Sequence, residues 1–312
     1  MRQDLTNVHP ELRQFVKRMP NFTFSRWNLW LFRLLGRLNL AGKIPEDISV
    51  ENIYIPAQDG TTKIRLRVYH PNETNRVVPA LVWFHGGGFI IGVPEQNDAY
   101  CIQIARETGI TIFSVDYRLA AFPTPLNDAY TALKWVSDNA ASWNIDPQRI
   151  AIGGESAGGG LAAALAQLAA DRKEVKPIFQ LLVYPMLDDR TVVREDILDR
   201  SYLVWNQDSN RFGWESYLGT GNCGTADLPP YSVSARREDL SALPPAWIGV
   251  GSLDLFHDED VIYAQRLKEC GVPCELNVIQ GAFHGFDVAG TEYSVVREFR
   301  QLQVNALKKY LR

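Results

Sequence analysis

Residues Gly154, Glu155, Ser156, Ala157 and Gly158 spell G-x-S-x-G between a short apolar run, RIAIG, and an alanine-rich run, LAAALAQLAA. In that setting the motif predicts a sharp strand-to-helix turn. Such a turn holds a serine hydroxyl clear of the sheet, and the helix N-terminus favours negative charge beside it. Taken alone, the pentapeptide is equally an ordinary glycine turn. A serine hydroxyl is a weak nucleophile at its own pKa, so the chemistry needs a base and a group that orients the base. Among the histidines, His9, His70, His85 and His257 read as structural or solvated. His284 stands in GAFHGF, just past the last apolar run. That places it on a loop at the C-terminal end of a strand, where open α/β sheets bind ligands. The orienting acid belongs on a neighbouring strand end. Asp254, in WIGVGSLDLFHDED, fits that place, whereas Asp258 reads as a helix cap. Nucleophile, acid and base then follow in the order Ser156, Asp254, His284.

A second stretch, LVWFHGGGFIIG at 81–92, gives up three side chains in a row at the end of an apolar run. Ordering glycine costs more backbone entropy than ordering any other residue, so the run implies a backbone that something must approach closely. Acyl transfer supplies a reason. It puts negative charge on a former carbonyl oxygen, and each backbone N–H aimed there is worth about 3–4 kcal/mol of barrier. A phosphate cradle is excluded, because neither G-x-x-x-x-G-K-[ST] nor a strand–helix G-x-G-x-x-G is present.

These residues need elements to position them. Short apolar runs at 52–56, 63–70, 80–85, 111–116, 150–153, 178–184, 246–251 and 275–280 read as strands. Helical patterns at 98–108, 126–141, 157–171, 258–270 and 293–311 alternate with the later ones. The first two strands, joined by AQDG, form an antiparallel edge hairpin. The others lack polar alternation and predict a mainly parallel sheet covered by helices on both faces. Two segments break the rhythm. Residues 1–45 carry Trp27, Trp30 and Phe32, and residues 188–243 carry Trp205, Phe212, Trp214 and Tyr217. Long apolar excursions of this kind are often lids, and the expectation is a shared helical cap (1–45 and 188–243) over a core (46–187 and 244–312).

The 312 residues, 46% hydrophobic and 22% charged, are those of an ordinary globular chain. With a net charge of −4 and only Lys308, Lys309 and Arg312 grouped at a helix end, a nucleic-acid surface is excluded. The first residues resemble neither a signal nor a transit peptide. The segment 27–40 is interrupted by Asn28, Arg33, Arg37 and Asn39 and is too short to span a bilayer. It could lie at a lipid interface, as in a membrane lipase, but cap packing needs the same surface. Cys101, Cys223, Cys270 and Cys274 complete no zinc set and read as reduced thiols of a cytoplasmic protein.

HGGGF at 85–89, DYRLA at 116–120, GESAGG at 154–159, Asp254 with Asp258 four further on, and HGF at 284–286 follow one another along nearly the whole chain. In these motifs the chain resembles the hormone-sensitive-lipase-like branch of the α/β-hydrolases, and most of all bacterial carboxylesterases and acetyl esterases. The resemblance implies an α/β-hydrolase fold of about eight strands with a helical cap. It implies Ser156, Asp254 and His284 as the triad and the N–H groups of Gly87, Gly88 and Ala157 as the oxyanion hole. His85, Gly86, Gly154, Glu155 and Gly158 are implied as support. It also implies no metal or organic cofactor and a small ester as the partner; a homodimer is compatible with the sequence. The chain departs from the family at Ala121-Phe122, where Pro-Glu is usual, in a shortened loop down to Asn127, and at Leu255, where proline is usual. These departures bear on substrate preference rather than reaction class. The same machinery would serve an amide or formamide hydrolase. A non-catalytic ligand-binding module is disfavoured by the intact triad residues.

Overall fold

The computed structural model describes residues 5–19, 23–25, 27–30, 44–72, 76–197 and 202–312. The edge hairpin forms from β1 (Ile48–Pro56) and β2 (Lys63–Pro71), paired antiparallel from Ile48–Pro71 to Pro56–Lys63. The next strands are β3 (Val78–Phe84), β4 (Thr111–Asp116), β5 (Ile145–Glu155), β6 (Gln180–Val183), β7 (Ala246–Gly251) and β8 (Cys274–Ile279). They complete one eight-stranded sheet in the order β1-β2-β4-β3-β5-β6-β7-β8, parallel from β4 onward. β3, β6 and β7 are buried along their whole length, which explains their unbroken apolar runs.

Successive residues of β3 serve opposite faces. Ala80, Val82 and Phe84 join the core under α3 (Thr124–Asp138), α4 (Ala157–Arg172) and α6 (His257–Glu269). Leu81 and Trp83 join the core under α2 (Asp98–Thr108) and α7 (Ser294–Tyr310). The predicted helices are all found, with ends shifted by a few residues. The pattern at 126–141 divides at Asn139 into α3 and a 3₁₀ turn, Ala140–Trp143. β5 runs on to Glu155, so the strand ends directly at Ser156.

The N-terminal segment contributes α1 (Arg13–Arg18), and the excursion contributes α5 (Gln207–Leu218), capped by Asn206 Oδ1 at 2.9 Å from Ser209 N. The two pieces meet. Phe24 N donates to Ser209 Oγ at 3.2 Å, and Asn206 Nδ2 donates to Thr23 Oγ1 at 3.0 Å. At the base of the excursion, the Arg236 guanidinium grips buried Asp189 through Nε and Nη2, both at 2.8 Å. Two of the aromatics that mark the N-terminal segment point outward. Trp27 is 90% and Trp30 66% exposed, while beside them Phe24 and Leu29 turn toward the core. Phe32 and most of the 27–40 segment lie outside the described residues. Among the described residues no helix is long and apolar enough to cross a membrane.

Candidate active site

β3 and β5 are neighbours, and Phe84 pairs with Gly154 at their C-terminal ends. The glycine run and the serine therefore leave the sheet side by side. Ser156 is the N-cap of α4, with φ 54° and ψ −121°. For a non-glycine residue this left-handed conformation persists only where its surroundings enforce it. Its N–H donates to Val183 O at 2.9 Å, and its carbonyl accepts from Met186 N at 2.9 Å and Gly160 N at 3.0 Å. Gly154 and Gly158 are required by contact. A Cβ on Gly158 would lie 2.1 Å from Phe84 O, and one on Gly154 2.3 Å from Gly158 O.

Asp254 follows β7 and His284 follows β8, and the two loops are tied together. Leu253 N donates to Ala282 O at 2.9 Å, and Gly281 N donates to Ser252 Oγ at 2.8 Å. His284 Nδ1 lies 2.9 and 3.1 Å from the two Asp254 carboxylate oxygens, and Nε2 lies 2.9 Å from Ser156 Oγ. A carboxylate only accepts, so Nδ1 carries the proton and Nε2 is left to accept from the serine hydroxyl. Asp254 Oδ1 also accepts from Phe256 N at 2.9 Å. The imidazole is enclosed by Tyr184, Phe256 and Trp205, whose ring centroids lie 4.9, 5.0 and 6.3 Å away. All three polar residues are buried.

Asp258 does not cap the helix. The N-cap is Phe256, and the Asp258 carboxylate in the first turn instead takes Arg194 Nη1 and His257 Nδ1, both at 2.9 Å. At the helix entry Asp254 accepts from the N-cap residue Phe256 through its carboxylate and from His257 N through its carbonyl at 3.2 Å, while the Asp258 carboxylate pairs outward.

The glycine loop turns through positive φ at Gly87 (121°), Gly88 (60°) and Phe89 (62°), and Gly87 O accepts from both Ile90 N and Ile91 N at 3.0 Å. Among the described residues, neither Gly87 N–H nor Gly88 N–H is taken up by a carbonyl or a side chain. Ala157 N–H opens α4 and has no carbonyl one turn back to bond. Beneath the loop, His85 is fully buried and stacked on Tyr117 at 4.3 Å. Its Nδ1 bonds Gly86 O at 2.8 Å, and burial lowers its pKa, so it is a neutral strut. Glu155 Oε1 accepts from Gly86 N at 3.3 Å and Gln96 Nε2 at 3.0 Å, while burial raises the carboxyl's pKa. His9, His70 and His257 stand apart from this group; His70, for example, bonds Thr111 Oγ1 at 2.8 Å. The supports Gln96 and Tyr184 carry no sequence signal of their own, whereas Tyr117 lies within DYRLA. Among the described residues no group of three or more His, Cys, Asp or Glu side chains could hold a metal ion.

A family model described as alpha/beta hydrolase fold matches residues 81–288, most of the chain and all of this site. The chain belongs to the α/β-hydrolase family, in its hormone-sensitive-lipase-like branch. It is 35% identical over 243 residues to carboxylesterase NlhH of Mycobacterium tuberculosis, covering 73% of this chain and 72% of that protein. It is 32% identical over 286 residues to an ethyl acetate hydrolase of Pseudomonas putida, covering 87% and 86%. Among solved structures, a bacterial heroin esterase superposes with a TM-score of 0.93 at 34% identity, covering 99% of this chain and 100% of that one.

Proposed function

We propose that the chain is a carboxylesterase that cleaves short-acyl esters through an acyl-enzyme on Ser156. The observation that carries this reading is the unbroken hydrogen-bond path from Ser156 Oγ through His284 to Asp254, starting at a serine held in a left-handed turn. Ser156 Oγ attacks the ester carbonyl carbon as His284 Nε2 takes its proton, and Asp254 stabilises the imidazolium. The carbonyl oxygen becomes an oxyanion and accepts from the N–H groups of Gly87, Gly88 and Ala157. Collapse breaks the C–O bond, and the alcohol leaves with the proton from Nε2. Water, deprotonated by the same nitrogen, then attacks the acyl-enzyme and releases the acid. Only the neutral imidazole accepts the serine proton, so kcat/KM falls on acidification.

Residues 46–187 and 244–312 form the catalytic core, and 1–45 and 188–243 a cap over the serine. Contacts of Trp205 with Gly88 and of Phe24 with Trp205 support that division. The buried indoles of Trp205 and Trp214 support a short acyl pocket, as does the relative named for ethyl acetate. Four free cysteines fit a reducing, cytoplasmic setting.

An acyl-length series of p-nitrophenyl esters tests the substrate class. Rates rise over the first carbons, at about 0.8 kcal/mol per buried methylene. They then collapse, as overpacking costs about 1–3 kcal/mol. A flat or rising profile to long chains overturns the short pocket. Ser156→Ala should fold normally and lose orders of magnitude in kcat, and a fluorophosphonate should label Ser156 alone. Near-full turnover in Ser156→Ala overturns the nucleophile.

A further inference from the structure

We propose that Trp205 is a positioning residue for the glycine loop. Its indole, wedged between Gly88 and Gly213, sets the direction of the loop's N–H groups, so excursion and oxyanion site work as one part. The proposal rests on the reading of Ser156 as nucleophile and of this loop as the oxyanion site.

Two backbones give way to the indole. A Cβ on Gly88 would lie 2.1 Å from Trp205 Cη2. A Cβ on Gly213, in α5, would lie 2.8 Å from Gly88 O and 3.3 Å from Trp205 Cζ2. The ring is itself held. Nε1–H donates to Asn210 Oδ1 at 3.3 Å, and the ring packs 5.6 Å from Phe24 and 6.3 Å from the His284 imidazole. One residue along the loop, Phe89 stacks on Tyr217 of α5 at 4.1 Å and 9°. The excursion thus grips two successive loop residues. Glycine has little torsional preference of its own, so a run with three positive φ angles keeps one orientation only if packing imposes it. Displacing a catalytic group by about 1 Å costs about 100-fold in rate, and a loosened loop displaces two N–H donors together.

The test uses the full chain, with rates counted per titrated serine on the acetyl ester. Trp205→Ala should lower kcat about 10- to 100-fold and move KM by less than about threefold, the pattern of an interaction made in the transition state. Affinity for a trifluoromethyl ketone, whose tetrahedral adduct carries an oxyanion, should fall in parallel. Trp205→Phe should restore most of the rate. Gly213→Ala brings a Cβ to 2.8 Å from Gly88 O, which must shift, so kcat per titrated serine should fall about 10-fold whatever change in Tm accompanies it, and this variant decides the matter if Trp205→Ala does not fold. If Trp205→Ala keeps wild-type kcat on the acetyl ester and only shifts the length optimum, Trp205 is merely a pocket wall and the proposal falls. It falls equally if only Tm drops. Failure of the underlying reading looks different: Ser156→Ala would then keep its turnover, whatever Trp205 does.

Discussion

Four carboxyl groups crowd residues 254–260, and their surroundings give them different work. Asp254 meets His284. Asp258 sits part-exposed, where the hydrogen bond from His257 and the Arg194 guanidinium outweigh burial and hold its pKa below the usual range. Asp254→Asn should therefore cost about 10⁴-fold in kcat, through the wrong imidazole tautomer. Asp258→Asn should lose under about 1 kcal/mol of stability and little rate. Steady-state kinetics of the pair decides it, and the reverse ranking would reassign the acid. Asp260 is buried, and neither of its oxygens has a hydrogen-bond partner among the described residues. Burial, with Glu259 and Asp254 nearby, raises its pKa well above the ordinary value. A raised carboxyl costs nothing below its unfolded pKa of about 3.9. Above that, stability drains by up to ~1.4 kcal/mol per pH unit until the folded pKa is passed. Asp260→Asn should flatten that loss, so urea midpoints of variant and wild type should diverge as pH rises. Parallel curves would show that Asp260 does not titrate on unfolding.

At the scale of elements, α4 lies on the sheet through glycine. Besides the contact at Gly158, a Cβ on Gly160 would come 2.0 Å from Met186 O. Both atoms met are backbone, so neither can swing aside. Gly158→Ala and Gly160→Ala should each cost about 3 kcal/mol or more or fail to fold, measured by chemical denaturation. Gly60→Ala meets nothing within 4 Å, and its φ of 69° should cost only about 1–2 kcal/mol. This arrangement was largely legible in the sequence. Apolar runs bounded by turns gave the strands, and motif order gave the serine, acid and histidine that the structure brings into hydrogen-bonding distance. What stayed hidden depends on contacts between distant parts of the chain. The seat of Trp205 requires two glycines far apart in sequence. The outward turn of Trp27 and Trp30 cannot be read from counting aromatics, since type does not fix the face. Asp258 looked like a cap because a helix followed, but Asp254 already bonds the entering N–H. Phe122, the unusual residue after DYRLA, proves to dock its N–H on Tyr217 O at 2.8 Å, a partner invisible from its neighbours.

At the scale of the molecule, the excursion is clasped by its two ends. Buried Asp189 receives Arg236 in a two-pronged pair and Gly224 N at 2.6 Å. Asp189→Ala leaves the arginine and an amide unpaired, which should cost about 3–5 kcal/mol. Limited proteolysis of the variant should cut within 190–231 faster than in wild type. Equal cutting would mean that the clasp is dispensable. A second tie has a consequence in time. His9 N donates to Gly281 O at 2.8 Å, and the Glu11 carboxylate accepts from Ser294 N at 2.7 Å across a sequence separation of 283. The loop carrying His284 is therefore braced by residues synthesised well before it, which must wait for it. The core sheet can begin to assemble during synthesis, domain parts first. Ser156 waits in the same way for His284, 128 positions further along, so the hydrogen-bond path between them closes only after the loop following β8 has been made.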